Sequence, residues 1–278
     1  MMMQKKDSFE SKRNSHPFHE DLAILLDMYQ EGDTIEALVG RIEESSASPA
    51  TKMHSLKWVA TEVLKPQVLD THAARALKKS GASLPVKQFR EMLDCMAILT
   101  DDALRNFMTE VVWKLKSNGV DGVYARQVLE FSERYLSGGY SSKYVSKGNA
   151  RTEPVSKDEV IHLTKYIIKT LIARKVLKTS RTHQNSKLLV FSFEDLSLCD
   201  STIVFLMYWM RELNYSIIDT VENESWHVFG LNKPKLISRL KKAPLDNFFH
   251  ISDVWDLNLT YKHNSSVDAI NRLRLMST

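Results

Sequence analysis

Imidazole and carboxylate groups crowd into His16-Pro17-Phe18-His19-Glu20-Asp21, the donor types that hold a transition metal. A metal needs those donors in fixed geometry, and Pro17 breaks the helical i, i+3 arrangement of the two histidines. The segment also continues a polar start with no apolar periodicity, so no metal is predicted there. Cys199 has Asp195 and Asp200 close by in sequence. As a nucleophile it would need a base, and His183 or His227 would serve only if folding delivered one of them. A structural thiol accounts for Cys199 more simply. Paired acids at Glu43-Glu44, Asp101-Asp102, Asp158-Glu159 and Glu194-Asp195 offer general acid–base chemistry, yet three of the pairs fall at predicted helix ends, where carboxylates suit the helix dipole or its caps.

Other chemistries are excluded by composition. The chain has two cysteines, Cys95 and Cys199, too few for a four-thiolate zinc site. Its nine glycines form no GxGxxG, GxxxxGKS or GxSxG motif, so the usual phosphate cradles and the nucleophile elbow are missing. The sequence therefore predicts no catalytic residue, no metal and no cofactor.

Charge distribution is more informative than total charge. The formal net charge is +4, but residues 141–187 hold eleven Lys and Arg against three acids; that segment carries +8 and the remainder −4. Lys143, Lys147, Lys165, Lys169, Lys175, Lys178, Arg181, His183 and Lys187 are its candidate phosphate contacts. A second cluster, with Lys233, Lys235 and Arg239, contains no acid from Lys233 to Lys242. Local excess of this kind suits a polyanion, because each neutralised phosphate releases counterions. Solvated helix faces carry such runs too. Tyr135, Tyr140, Tyr144 and Tyr166 interleave with the first cluster and offer ring faces for base stacking, or else simply pack.

The elements that must position these groups follow from periodicity. Apolar stripes predict successive helices from about Asp21, including one from Asp101 to Lys116 with Leu104, Phe107, Met108, Val111, Val112 and Leu115 inward. Thr100 is its expected cap, and no strand is expected before Ser137. Ser156 and Glu159 form a capping box that opens a helix to about Val176, with Val160, Leu163, Ile167, Ile168, Leu171 and Ile172 as its buried face and Lys165 and Lys169 pointing away from it. Strands at 176–179 and 188–193 then make a hairpin. A second helix and hairpin are predicted at 201–230, with the strands at 216–220 and 226–230.

The expected fold is mostly α: an N-terminal helical bundle or helical-hairpin array, plus a C-terminal α+β module of winged-helix-like helix–hairpin units. The expected division is a mobile tail at 1–18, a helical domain at 19–136, a basic linker at 137–156 and the α+β module at 157–278. The longest apolar run, Ile203–Met210, is far short of the ~20 residues of a membrane span, and the polar start predicts an intracellular protein of nucleus or cytoplasm. The functional expectation is a non-enzymatic subunit that grips nucleic acid, DNA or RNA, through the basic module and engages a protein partner through the helical domain. The alternative is a structural adaptor of an intracellular or viral assembly that makes no nucleic-acid contact.

Overall fold

The computed structural model describes residues 19–45, 50–81, 84–138, 155–174, 176–180, 190–194, 198–242, 245–251 and 259–276. Its first elements are α1 (His19–Met28), α2 (Ile35–Glu44), α3 (Ala50–Trp58) with a π-turn at Val59–Val63, α4 (Pro66–Leu69), α5 (His72–Ser80) and α6 (Val86–Thr100). Next come α7 (Asp102–Phe107), a π-turn at Met108–Val112, α8 (Trp113–Ser117), β1 (Gly122–Tyr124), α9 (Ala125–Leu136), α10 (Lys157–Ala173), β2 (Leu177–Ser180) and β3 (Val190–Phe193). The last are α11 (Asp200–Glu212), α12 (Ile217–Glu222), a 3-10 turn at Glu224–Phe229, α13 (Lys233–Leu240), a 3-10 turn at Leu245–Asn247, β4 (Phe249–Ile251), β5 (Leu259–Tyr261) and α14 (Ser266–Met276). The protein is thus mostly helical with small antiparallel sheets. Among the described residues no helix is long and apolar enough to cross a membrane.

Contacts divide the chain into two compact units, and the division is not the one that linker composition predicts. His19–Thr100 joins Ser197–Thr278 in a helical unit, while Asp101–Leu196 forms an inserted unit. The reason lies in long-range packing. In the helical unit α11 is buried all round from Ser201 to Met210, and α5, α6 and α14 pack against it from both ends of the sequence. A helix without a polar face can only be a core element, and its partners leave no local signal. Glu212 at its end accepts from the Ala73 N–H at 2.8 Å and from the Ser266 hydroxyl, tying the starts of α5 and α14 together.

The second predicted hairpin is absent. Ser216–Gly230 forms α12 and a 3-10 turn, because Ser216 and Asp219 make a reciprocal capping box that starts a helix. The Trp226 indole N–H then donates to the Thr220 carbonyl at 2.6 Å.

The inserted unit runs α7, α8, β1, α9, α10, β2, β3. Its sheet has the order β1-β3-β2, antiparallel throughout, with Val123 opposite Phe191 and Thr179 opposite Phe191 on the other side. The strand β1, unforeseen in the sequence, depends on Gly122: a Cβ there would lie 2.6 Å from the Phe191 carbonyl oxygen. Phe107, Val123, Phe131, Leu163, Ile167, Leu171, Leu177 and Phe191 form the core beneath the sheet and helices. Phe107 meets Phe131 edge to face at 5.1 Å.

Candidate nucleic-acid interface

The helix that carries the central lysines is fixed at its start by the predicted capping box. The Ser156 side chain accepts from the Glu159 N–H at 3.2 Å, and the Glu159 carboxylate takes the Ser156 N–H at 3.0 Å. Two polar contacts then set the rotation of α10 against its neighbours. The Thr164 hydroxyl donates to Ser132 on α9 at 3.0 Å, and the Tyr166 hydroxyl donates to the Asp101 carboxylate. Asp101 also caps α7, accepting the Leu104 N–H at 3.0 Å, so it replaces the predicted Thr100, whose hydroxyl turns back to the Met96 carbonyl at 2.7 Å. Tyr166 is consequently 2% exposed and gives no stacking surface, and the ring of Tyr135 stacks on Phe131 at 5.8 Å. Tyr140 and Tyr144 lie outside the described residues.

With α10 held this way, its burial pattern separates into two arcs. Projected at about 100° per residue, Lys157, Asp158, Ile161, His162, Lys165, Ile168, Lys169 and Ile172 fall within about 140°. All eight are exposed or half-buried. Val160, Leu163, Thr164, Tyr166, Ile167, Thr170 and Leu171 fill the opposite arc and are buried. Glu159 is the exception, being turned back onto the N-cap. Ile168 and Ile172, expected on the buried face, lie at its margin instead, and Ile161 is 42% exposed. The open arc is therefore an apolar strip bordered by Lys157 on one side and by Lys165, Asp158, Lys169 and His162 on the other.

Lys178 is exposed on β2, the edge strand that follows α10. Among the described residues Lys157, Lys165 and Lys178 have no acid within ion-pair distance. Lys143, Lys147, Lys175, Arg181, His183 and Lys187 lie outside the described residues. The structure thus brings Lys165, Lys169 and Lys178 into one unit. It adds Lys157 and Ile161, which the i, i+4 spacing from residue 157 to residue 169 already marks.

The second basic cluster belongs to the helical unit and is engaged differently. Lys233 pairs with Glu222 at 2.5 Å, both exposed. Arg239 donates from Nε to Asp200 at 2.9 Å and from a terminal nitrogen to the Leu198 carbonyl, anchoring the chain just before α11. Folding thus gives Arg239 internal partners that are remote in sequence. Lys235 is exposed, and its backbone N–H donates to the Asn232 side chain at 3.0 Å.

The predicted chemistry of Cys199 also resolves. Its N–H donates to Glu91 at 2.7 Å and its thiol to the same carboxylate at 3.4 Å, so Glu91 caps α11 from another helix. Burial and the Glu91 charge push the thiol pKa up, which keeps it protonated rather than nucleophilic. Among the described residues no three His, Cys, Asp or Glu side chains gather as a metal site. Asp21, from the N-terminal cluster, accepts instead from Ser55 at 2.6 Å. A cleft of about 410 Å³ in the helical unit is lined by Arg211, Tyr215, Tyr261 and His263 among others, but not by Cys199 or His227. Arg211 is held there over the Tyr261 ring at 4.8 Å and donates to the His263 carbonyl at 3.2 Å. No protein-family model, curated protein or solved structure matches the chain.

Proposed function

We propose that the chain is a non-enzymatic, nucleic-acid-associated subunit, and that its inserted unit is a winged-helix-type module with α10 as the contacting helix and the β2–β3 hairpin as the wing. The observation that carries this reading is the open arc of α10, where three lysines border a solvent-facing strip. The β2–β3 pairing supports it, since that hairpin follows α10 directly, joins β1 in one antiparallel sheet and carries Lys178 on its edge strand. Arg181, His183 and Lys187 lie in the sequence between the two strands, where Arg181 and Lys187 add positive charge and His183 a hydrogen-bonding imidazole to the same module. Lys143, Lys147 and Lys175 extend the basic segment on either side of α10. Phosphate contacts of this kind give affinity and register without reading sequence.

The test is the salt dependence of binding by the full chain to duplex and single-stranded probes. A log–log slope that flattens by about 0.9 for each lost phosphate contact is expected when Lys165, Lys169 and Lys178 are changed to Glu. Slopes and affinities unchanged by those substitutions refute the reading. The adaptor reading draws on the exposed apolar side chains of the helical unit, Val86 at 64% and Ile218 at 51%. A stable protein partner lost on Val86→Asp or Ile218→Asp, together with no nucleic-acid binding, would establish it instead.

A further inference from the structure

Resting on the nucleic-acid reading of α10, we infer that the isoleucine strip of its open arc reads thymine methyl groups in the major groove of duplex DNA, with Ile161 as the specificity-determining side chain. A face built only for solvent has no use for three isoleucines. The strip pairs an apolar centre with cationic borders, which suits a partner that is apolar between two lines of negative charge. A DNA major groove presents both features: its floor displays base edges, including the thymine C5-methyl, and its two walls are phosphate. The dimensions agree. An α-helix about 10–12 Å across fits a groove about 12 Å wide, whereas the major groove of an RNA duplex is too narrow to admit side chains for reading.

Position along the helix singles out Ile161. It lies in the N-terminal half of the seventeen-residue α10, the part of an inserted helix that reaches base edges, and it is the most exposed of the three isoleucines. Lys157 and Lys165, one turn before and one turn after it, are placed for the flanking phosphates. Ile168 and Ile172 are half-buried and continue the strip toward β2.

The experiment uses the full chain and fluorescence anisotropy at fixed salt. Four probes are compared: an A·T-rich DNA duplex, the same duplex with every thymine replaced by deoxyuridine, the matching RNA duplex, and the single strand. The expected result is tightest binding to the thymine duplex, with about a four-fold loss for each contacted methyl removed. Ile161→Ala is expected to bind the thymine and deoxyuridine duplexes alike, while Ile161→Leu retains a difference. Ile161 is exposed, so its variants are expected to fold, and their circular dichroism checks this. Equal affinity of the wild type for the two DNA duplexes, or a thymine preference that survives in Ile161→Ala, overturns the inference and leaves nucleic-acid binding intact. Preference for RNA or single strand overturns it likewise. Binding to none of the four probes overturns both.

Discussion

Two basic regions of similar appearance in the sequence have different fates in the fold. On α10, lysines four residues apart lie along an open arc whose opposite side is wholly core. On α13, Arg239 reaches the start of α11 and holds Asp200 and the Leu198 carbonyl, while Lys233 faces Glu222. The contrast shows that a run of cations is not a surface property. Whether it can meet an external polyanion depends on which acids the fold brings up, and those acids are remote in sequence. The Lys233–Glu222 pair is exposed on both sides and worth little, so a phosphate competes with it easily. Arg239 is held by a charge-assisted bond and a carbonyl together, which makes it a structural residue.

Conditions and substitutions that act on one unit and spare the other put this contrast to the test. The largest effect is expected in the helical unit at high pH. Burial pushes the Tyr208 and Tyr261 hydroxyls up to about 12 from 10.0. The folded state therefore holds those protons more tightly than the unfolded chain. The stability they contribute is intact below pH 10 and lost as pH rises toward 12. A pH series of chemical denaturation curves is expected to show the decline, reduced in Tyr261→Phe.

Next in size is the charge reversal of Lys165, Lys169 and Lys178, expected to weaken nucleic-acid binding on the order of a hundred-fold at low salt. The matched reversal of Lys233 and Lys235 is expected to change it by less than about three-fold. Equal losses from the two sets would erase the distinction between the regions.

Asp101→Ala removes both the cap of α7 and the acceptor of the buried Tyr166 hydroxyl. A destabilisation of about 2 kcal/mol is expected by urea denaturation, together with weaker nucleic-acid binding as α10 loses its anchor. The smallest effect is expected for Arg239→Ala, about 1 kcal/mol of stability with unchanged nucleic-acid affinity. A fall in affinity without a fall in stability would return Arg239 to the interface.

Much of the architecture was legible in advance because it is written locally. The Ser156-x-x-Glu159 box, the apolar stripe of α7 and α8, the β2–β3 hairpin and the apolar run Ile203–Met210 of α11 each follow from residues within a few positions of one another. Residues 216–220, expected as a strand, start α12 instead, because the Ser216–Asp219 capping box fixes a helix there. The strand β1 leaves no local signal, because three residues carry no period and Gly122 reveals its purpose only opposite Phe191. The outward direction of Lys165 and Lys169 is legible in the sequence, but the half-exposure of Ile168 and Ile172 is not, because a stripe predicts one apolar face and not where its margin falls.

The amino-acid order alone determined the helix starts, the outward lysines of α10 and the absence of the familiar phosphate and nucleophile motifs, since each depends on spacing along a single element. Only tertiary structure decided that residues 19–100 pack with those after 196, that Asp101 and Tyr166 lock α10, and that Glu91 and Arg239 bracket the entry to α11. Those outcomes depend on which side chains meet across long stretches of chain, and burial favours any apolar partner of suitable shape without naming it in the sequence.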